Sequence, residues 1–118
     1  MEKPEDIRQR TFRFAVRVIK LCRALPQDEV NRVLTRQLIR SATSISANLE
    51  EAIGSHTKAE FTNSTNIARK EARETHHWLR MIYEVNTQAM KNRMTNIIKE
   101  ANEIVSILTV SIKKLKGV

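Results

Sequence analysis

Apart from Gly54, no residue between Pro26 and Gly117 is a proline or a glycine, and the other proline, Pro4, lies close to the start of the chain. Proline removes a backbone donor and glycine carries excess conformational entropy, so both punctuate regular structure. Their scarcity leaves long segments free to be helical and argues against a sheet of many short turns. The apolar residues are chiefly Leu, Ile, Val, Ala and Met in scattered positions, the usage of helices that each bury one stripe.

Four segments repeat a 3.6-residue period, about 100° per residue. The first, from Pro4 or Asp6 to Leu25, lines up Ile7, Phe14, Val18, Leu21, Cys22 and Leu25 before Pro26 stops it. The second, from about Asp28 to Ile53, aligns Leu34, Leu38, Ala42, Ile45, Leu49 and Ala52, with Asp28 as N-cap and Gly54 as C-terminal stop. The third opens after Ser55-His56-Thr57 and places Ile67, Trp78, Ile82 and Val85 on its face. The fourth carries Met94, Ile98, Ala101, Val105, Leu108, Ile112 and Leu115. The expected fold is all-α, an up-and-down antiparallel four-helix bundle forming one domain over residues 1–118. Its helices are placed at about 5–25, 28–53, 57–88 and 92–116. Trp78 is expected to be the one very large core member.

The chain carries 21 Lys and Arg against 13 Asp and Glu, a formal net charge of +8, which favours polyanionic partners. Arg32, Arg36 and Arg40 recur at intervals of four on the side of the second helix away from its apolar stripe. On the third, Arg69, Arg73 and Arg80, with His76 between, form a second ridge. Arg10, Arg13, Arg17 and Lys20 form a third beside the first helix's core face. Arginine makes forked contacts to phosphate, so the first two ridges are the expected nucleic-acid-binding residues; the competing reading is a solvated face. Phe12, Val16 and Ile19 form a second apolar strip on the first helix, nearly opposite its core face. This predicts an oligomer interface, against the alternative of scattered surface apolar residues.

Glu71 falls on the same side as Ile67 and Trp78 and needs hydrogen-bonding partners there. With Ser41, Asn48 and Thr75 it is expected to form a structural polar seam in the core. Ser44 and Ser46 fit as small residues that let helices approach. Glu74 and His77 make one Glu-x-x-His pair; a helical di-iron site requires two, plus a Glu from each of two further helices, and no second pair exists. No phosphate loop, zinc spacing or nucleophile signature appears, so no catalytic residue, metal or cofactor is expected, and the chain is read as non-enzymatic. The lone Cys22 lies on an apolar face, where it reads as a small buried hydrophobe in a reducing compartment. The opening Met1-Glu2-Lys3-Pro4-Glu5-Asp6 is charged where a signal peptide would be apolar, and no run approaches a membrane span, so a cytoplasmic protein with no membrane partner is expected.

Phe14-Ala15-x-x-Val18, Leu25-Pro26, Gln37-Leu38-x-Arg40-Ser41-Ala42-x-Ser44-Ile45-x-Ala47-Asn48-x-x-Glu51-Ala52, Lys58-x-Glu60-Phe61 and Glu71-Ala72-x-Glu74-Thr75-x-x-Trp78-Leu79 occur in this order. With them the chain resembles the bacterial four-helix bundle family named after proteins encoded in intervening sequences of 23S ribosomal RNA genes. The resemblance runs from about residue 11 to 83. Where many relatives read Asn-Ile-x-Glu-Gly, this chain has Asn48-Leu49-Glu50-Glu51-Ala52, which suggests a subfamily. The resemblance implies a closed bundle, often a homopentamer, with no established enzymatic activity. It extends in fold to accessory proteins of diversity-generating retroelements, basic pentamers that bind a reverse transcriptase and nucleic acid. A homo-oligomer, a nucleic acid and a protein partner are therefore the expected associations.

Overall fold

A computed structural model describes residues 6–117, and all of its regular structure is helical: α1 (Ile7–Ala24), α2 (Glu29–Ile53), α3 (Lys58–Val85) and α4 (Gln88–Leu115). Each helix starts at a side-chain cap, which satisfies an amide that has no partner within the helix. Asp6 accepts from Arg8 N at 2.9 Å, Asp28 from Asn31 N at 2.8 Å and Thr57 from Glu60 N at 3.1 Å. Thr87 caps α4 by accepting from Met90 N. Pro26 ends α1 as expected, with Leu25 already extended at ψ 150°.

The third break falls earlier than the spacing suggests, at Asn86–Thr87 rather than between residues 88 and 92. No glycine or proline marks it. Asn86 turns its amide back onto Ile82 O at 2.8 Å and exchanges two amide hydrogen bonds with buried Asn31, at 2.9 and 3.1 Å. Asn31 also donates to Pro26 O at 3.0 Å, so one amide pair ties the α1–α2 and α3–α4 connections together at one end of the bundle.

The core runs the length of the bundle through Phe14, Val18, Leu38, Ile45, Leu79, Ile82, Met94, Ile104 and Leu108, all essentially inaccessible. The stripes expected on α1 and α2 are buried, except that Ile7 and Leu34 are half-buried. On α4, Ile97 and Ile104 join the core, while Ile98, Val105 and Leu115 sit at its border. The face of α3 differs from expectation. Its buried stripe is Thr65, Ala68, Ala72, Thr75, Leu79 and Ile82, whereas Ile67 and Val85 are exposed and Trp78 is half-buried. The reason is steric: α2 and α3 make the most intimate helix pair of the bundle, and only small side chains fit between backbones that close.

Two of the expected polar-core residues meet in that seam. Thr75 and Ser41 are both fully buried; Ser41 donates to Leu38 O, and the single Thr75 proton is shared between Ser41 Oγ at 2.9 Å and Glu71 O at 2.8 Å. The other two do not join them. Glu71 lies at the rim with its carboxylate toward Arg40, and half-buried Asn48 donates within its own helix to Ser44 O and Ser44 Oγ. A carboxylate keeps water or a cation when the fold allows it, because full burial costs several kcal/mol, on the order of what a domain can spare.

Candidate nucleic-acid interface

The arginines singled out by spacing divide into two sets once their neighbours are known. On α2, Arg32 is paired with exposed Glu29 at 2.6 Å, and Arg40 reaches across to α3, where it meets Glu71 at 3.4 Å and Glu74 more closely. Burial and the neighbouring Glu74 hold the Glu71 carboxyl above its usual range, and Arg40 opposes the shift. Arg36, between them, is exposed and has no carboxylate partner among the described residues. The α2 ridge is therefore interrupted: Arg32 is held by Glu29 three residues before it on the same helix, and Arg40 by α3 carboxylates that spacing within α2 does not reveal.

On α3 the set stays open. Arg69 donates through Nε to Asn66 at 3.0 Å, which orients the guanidinium without neutralising it. Arg73 and Arg80 are exposed and, among the described residues, meet no carboxylate. These two converge with His76, His77 and, from α4, Asn102 and Val105 on one cavity of about 480 Å³. Partial burial, then the Arg80 charge, push the His76 imidazole below its usual range. His77 and Asn102 lie outside the ridge that spacing on α3 defines. His77 follows Arg73 by four residues and precedes Arg80 by three, which is a legible signal, while Asn102 enters only through the antiparallel register of α4.

Two of the α1 cations, Arg10 and Arg17, serve the bundle. Arg10 bonds Glu100 at 3.2 Å and Glu103 at 2.7 Å, and the Arg17 guanidinium closes on the other oxygen of Glu100. That oxygen accepts no well-angled hydrogen bond and is instead neutralised by the Arg17 charge. Of the apolar strip, Phe12 is 61% exposed, whereas Val16 and Ile19 are half-buried. Glu74, half of the Glu-x-x-His pair, is occupied by Arg40, and no group of three or more His, Cys, Asp or Glu converges among the described residues. Cys22 is buried, and burial pushes its thiol up to about 11.

Fold and surface together define a small basic helical bundle whose uncompensated arginines face outward from α2 and α3. The family described as 23S rRNA-intervening sequence protein matches residues 3–110, and the chain belongs to it. It is similar, with a TM-score of 0.80 and 34% identity over 92% of this chain and 99% of the other, to a solved protein from Bacteroides thetaiotaomicron. That protein is described as being of unknown function and from the S23 ribosomal protein family. No curated protein sequence matches the chain.

Proposed function

We propose that this chain is a non-enzymatic, homo-oligomeric bundle that binds RNA or DNA through phosphate contacts in the cytoplasm. The supporting observation is that Arg36, Arg73 and Arg80 are exposed and carry no carboxylate partner among the described residues, on a chain of net charge +8. A guanidinium without a carboxylate is free to displace counterions from a nucleic-acid backbone. Arg69, oriented by Asn66, extends this surface. Arg32 and Arg40 contribute less, because each must first leave a carboxylate. The exposed Phe12, with Val16 and Ile19 beside it, is the self-association contact, and the pentamer implied by the family resemblance is the assembly it would serve. No helix of the described residues is long and apolar enough to cross a membrane, and neither cofactor nor metal enters this reading.

The test is a nucleic-acid titration at several salt concentrations, combined with sedimentation. Affinity is expected to fall steeply with salt, and Arg36→Gln, Arg73→Gln and Arg80→Gln are each expected to flatten the salt slope by about one counterion. Binding that ignores salt would overturn the reading. A second reading, a scaffold whose partner is a protein such as a reverse transcriptase, is favoured by the exposure of Phe12, Val30 and Val33. A complex that survives nuclease and high salt would support it.

A further inference from the structure

The cationic cavity between α3 and α4 does not end at Arg80. A second cavity, of about 560 Å³, continues along the same helix pair and shares both His77 and Arg80 with the first. Its walls are of different character: Met81, Tyr83 and Ile98 supply apolar and aromatic surface, and Thr95 and Glu84 supply polar groups. The two helices run antiparallel, so residues 73 to 84 of α3 lie opposite residues 105 to 95 of α4. The cavities are thus successive lobes of one groove, roughly 16 Å long at 1.5 Å per residue.

Taking nucleic-acid binding as proposed above, we infer that this groove binds single-stranded nucleic acid, with a backbone phosphate held by Arg73, Arg80 and Asn102 and an unstacked base seated against Met81, Tyr83 and Ile98. The order of the chemistry sets the polarity. Two guanidiniums without carboxylate partners and an amide crowd the first lobe, which suits a phosphate. The second lobe holds Glu84, whose carboxylate repels a phosphate but can accept from a base's exocyclic amine. Met81 is 38% exposed although it is large and apolar, and Lys91 Nζ lies 5.3 Å from the centroid of the Tyr83 ring, adding a cation beside the same lobe. A duplex keeps its bases stacked and could use only the first lobe, whereas a single strand can use both.

Trp78, the chain's only tryptophan, provides the readout, because its ring stands edge-on, 5.0 Å away, to His77, which lines both lobes. The full chain would be titrated with a short single-stranded oligoadenylate, with a duplex of equal length and with inorganic phosphate, following Trp78 emission and fluorescence anisotropy of the labelled nucleic acid. The expected result is saturable binding of the oligoadenylate with a change in Trp78 emission, weakened in Arg73→Gln and Arg80→Gln. Met81→Ser, a surface change whose folding is checked by circular dichroism, removes apolar contact from the base and should lower single-strand affinity severalfold while leaving duplex affinity unchanged. Salt-sensitive binding that prefers the duplex, or that loses equally for both forms in Met81→Ser, would overturn the groove and leave the phosphate-binding reading standing. Absence of any salt-sensitive binding would overturn both.

Discussion

Along the seam between α2 and α3, Ser41, Ala42, Ala68, Ala72 and Thr75 let two helix backbones come close, whereas α1 and α4 face each other sparsely, across Arg10, Arg17, Glu100 and Glu103. The first seam is closed by dispersion and by one buried hydroxyl pair. The second has sparse contact between backbones and is bridged at its surface by ion pairs. A seam of the first kind fixes distance and register and is indifferent to salt, while one of the second kind can open without dismantling the rest. Three helices, α2 to α4, thus pack in close succession and carry the arginine surface, while α1, which carries Phe12, is packed on α2 and only bridged to α4, which makes it the edge expected to separate first.

The largest effect expected from disturbing this arrangement is at Phe14. Its side chain is fully buried, so Phe14→Ala leaves a cavity between α1 and the other helices and should cost about 3–5 kcal/mol in a denaturant titration. A cost near that of an exposed substitution would mean that α1 is held by its ion pairs and not by its core. Next is Ala72→Leu, which forces extra methylenes into the close seam and should cost about 1–3 kcal/mol. If the seam absorbs leucine without loss, the backbones are not as tightly apposed as the small residues imply.

The contrast also marks where the sequence could be read and where it could not. Periodicity located all four helices and the core stripes of α1 and α2, because on those faces the large apolar residues are the ones buried. It misplaced the face of α3, because there the close approach of α2 selects Ala68, Ala72 and Thr75 over the bulkier Ile67 and Val85. The break at Asn86 was hidden because that residue stops α3 through an amide pair with Asn31, which is far away in sequence. At the candidate interface, the exposure of Arg73 and Arg80 followed from spacing on one helix. The capture of Arg40 by Glu74, and the arrival of Asn102 opposite Arg73, depend on the register between helices, which no single-helix pattern encodes.

Smaller effects separate the two seams more sharply. Thr75→Val keeps the shape of the side chain but removes the hydroxyl, leaving Ser41 only its bond to Leu38 O; the expected loss is about 1 kcal/mol. A double-mutant cycle with Ser41→Ala should return a positive coupling, since the two hydroxyls are partners. Strict additivity would mean that each hydroxyl is satisfied by its own helix and that the seam owes nothing to their contact.

The smallest change in global stability, and the one that best distinguishes the seams, is expected from Glu100→Gln. Its carboxylate holds Arg10 and Arg17, but the network is partly exposed, so the loss should be about 1 kcal/mol or less. Cys22 offers a more local probe. It is buried on α1, burial pushes its thiol up to about 11, and it can react with a thiol reagent only when α1 lifts and the thiolate forms. If α1 is a separable edge, Glu100→Gln or added salt should speed the labelling of Cys22 severalfold under native conditions. Thr75→Val, which lowers global stability at least as much, should leave that rate unchanged. Equal acceleration by both variants would show that Cys22 is reached only by unfolding of the whole bundle, and that ion-pair and hydroxyl seams, though built differently, open together.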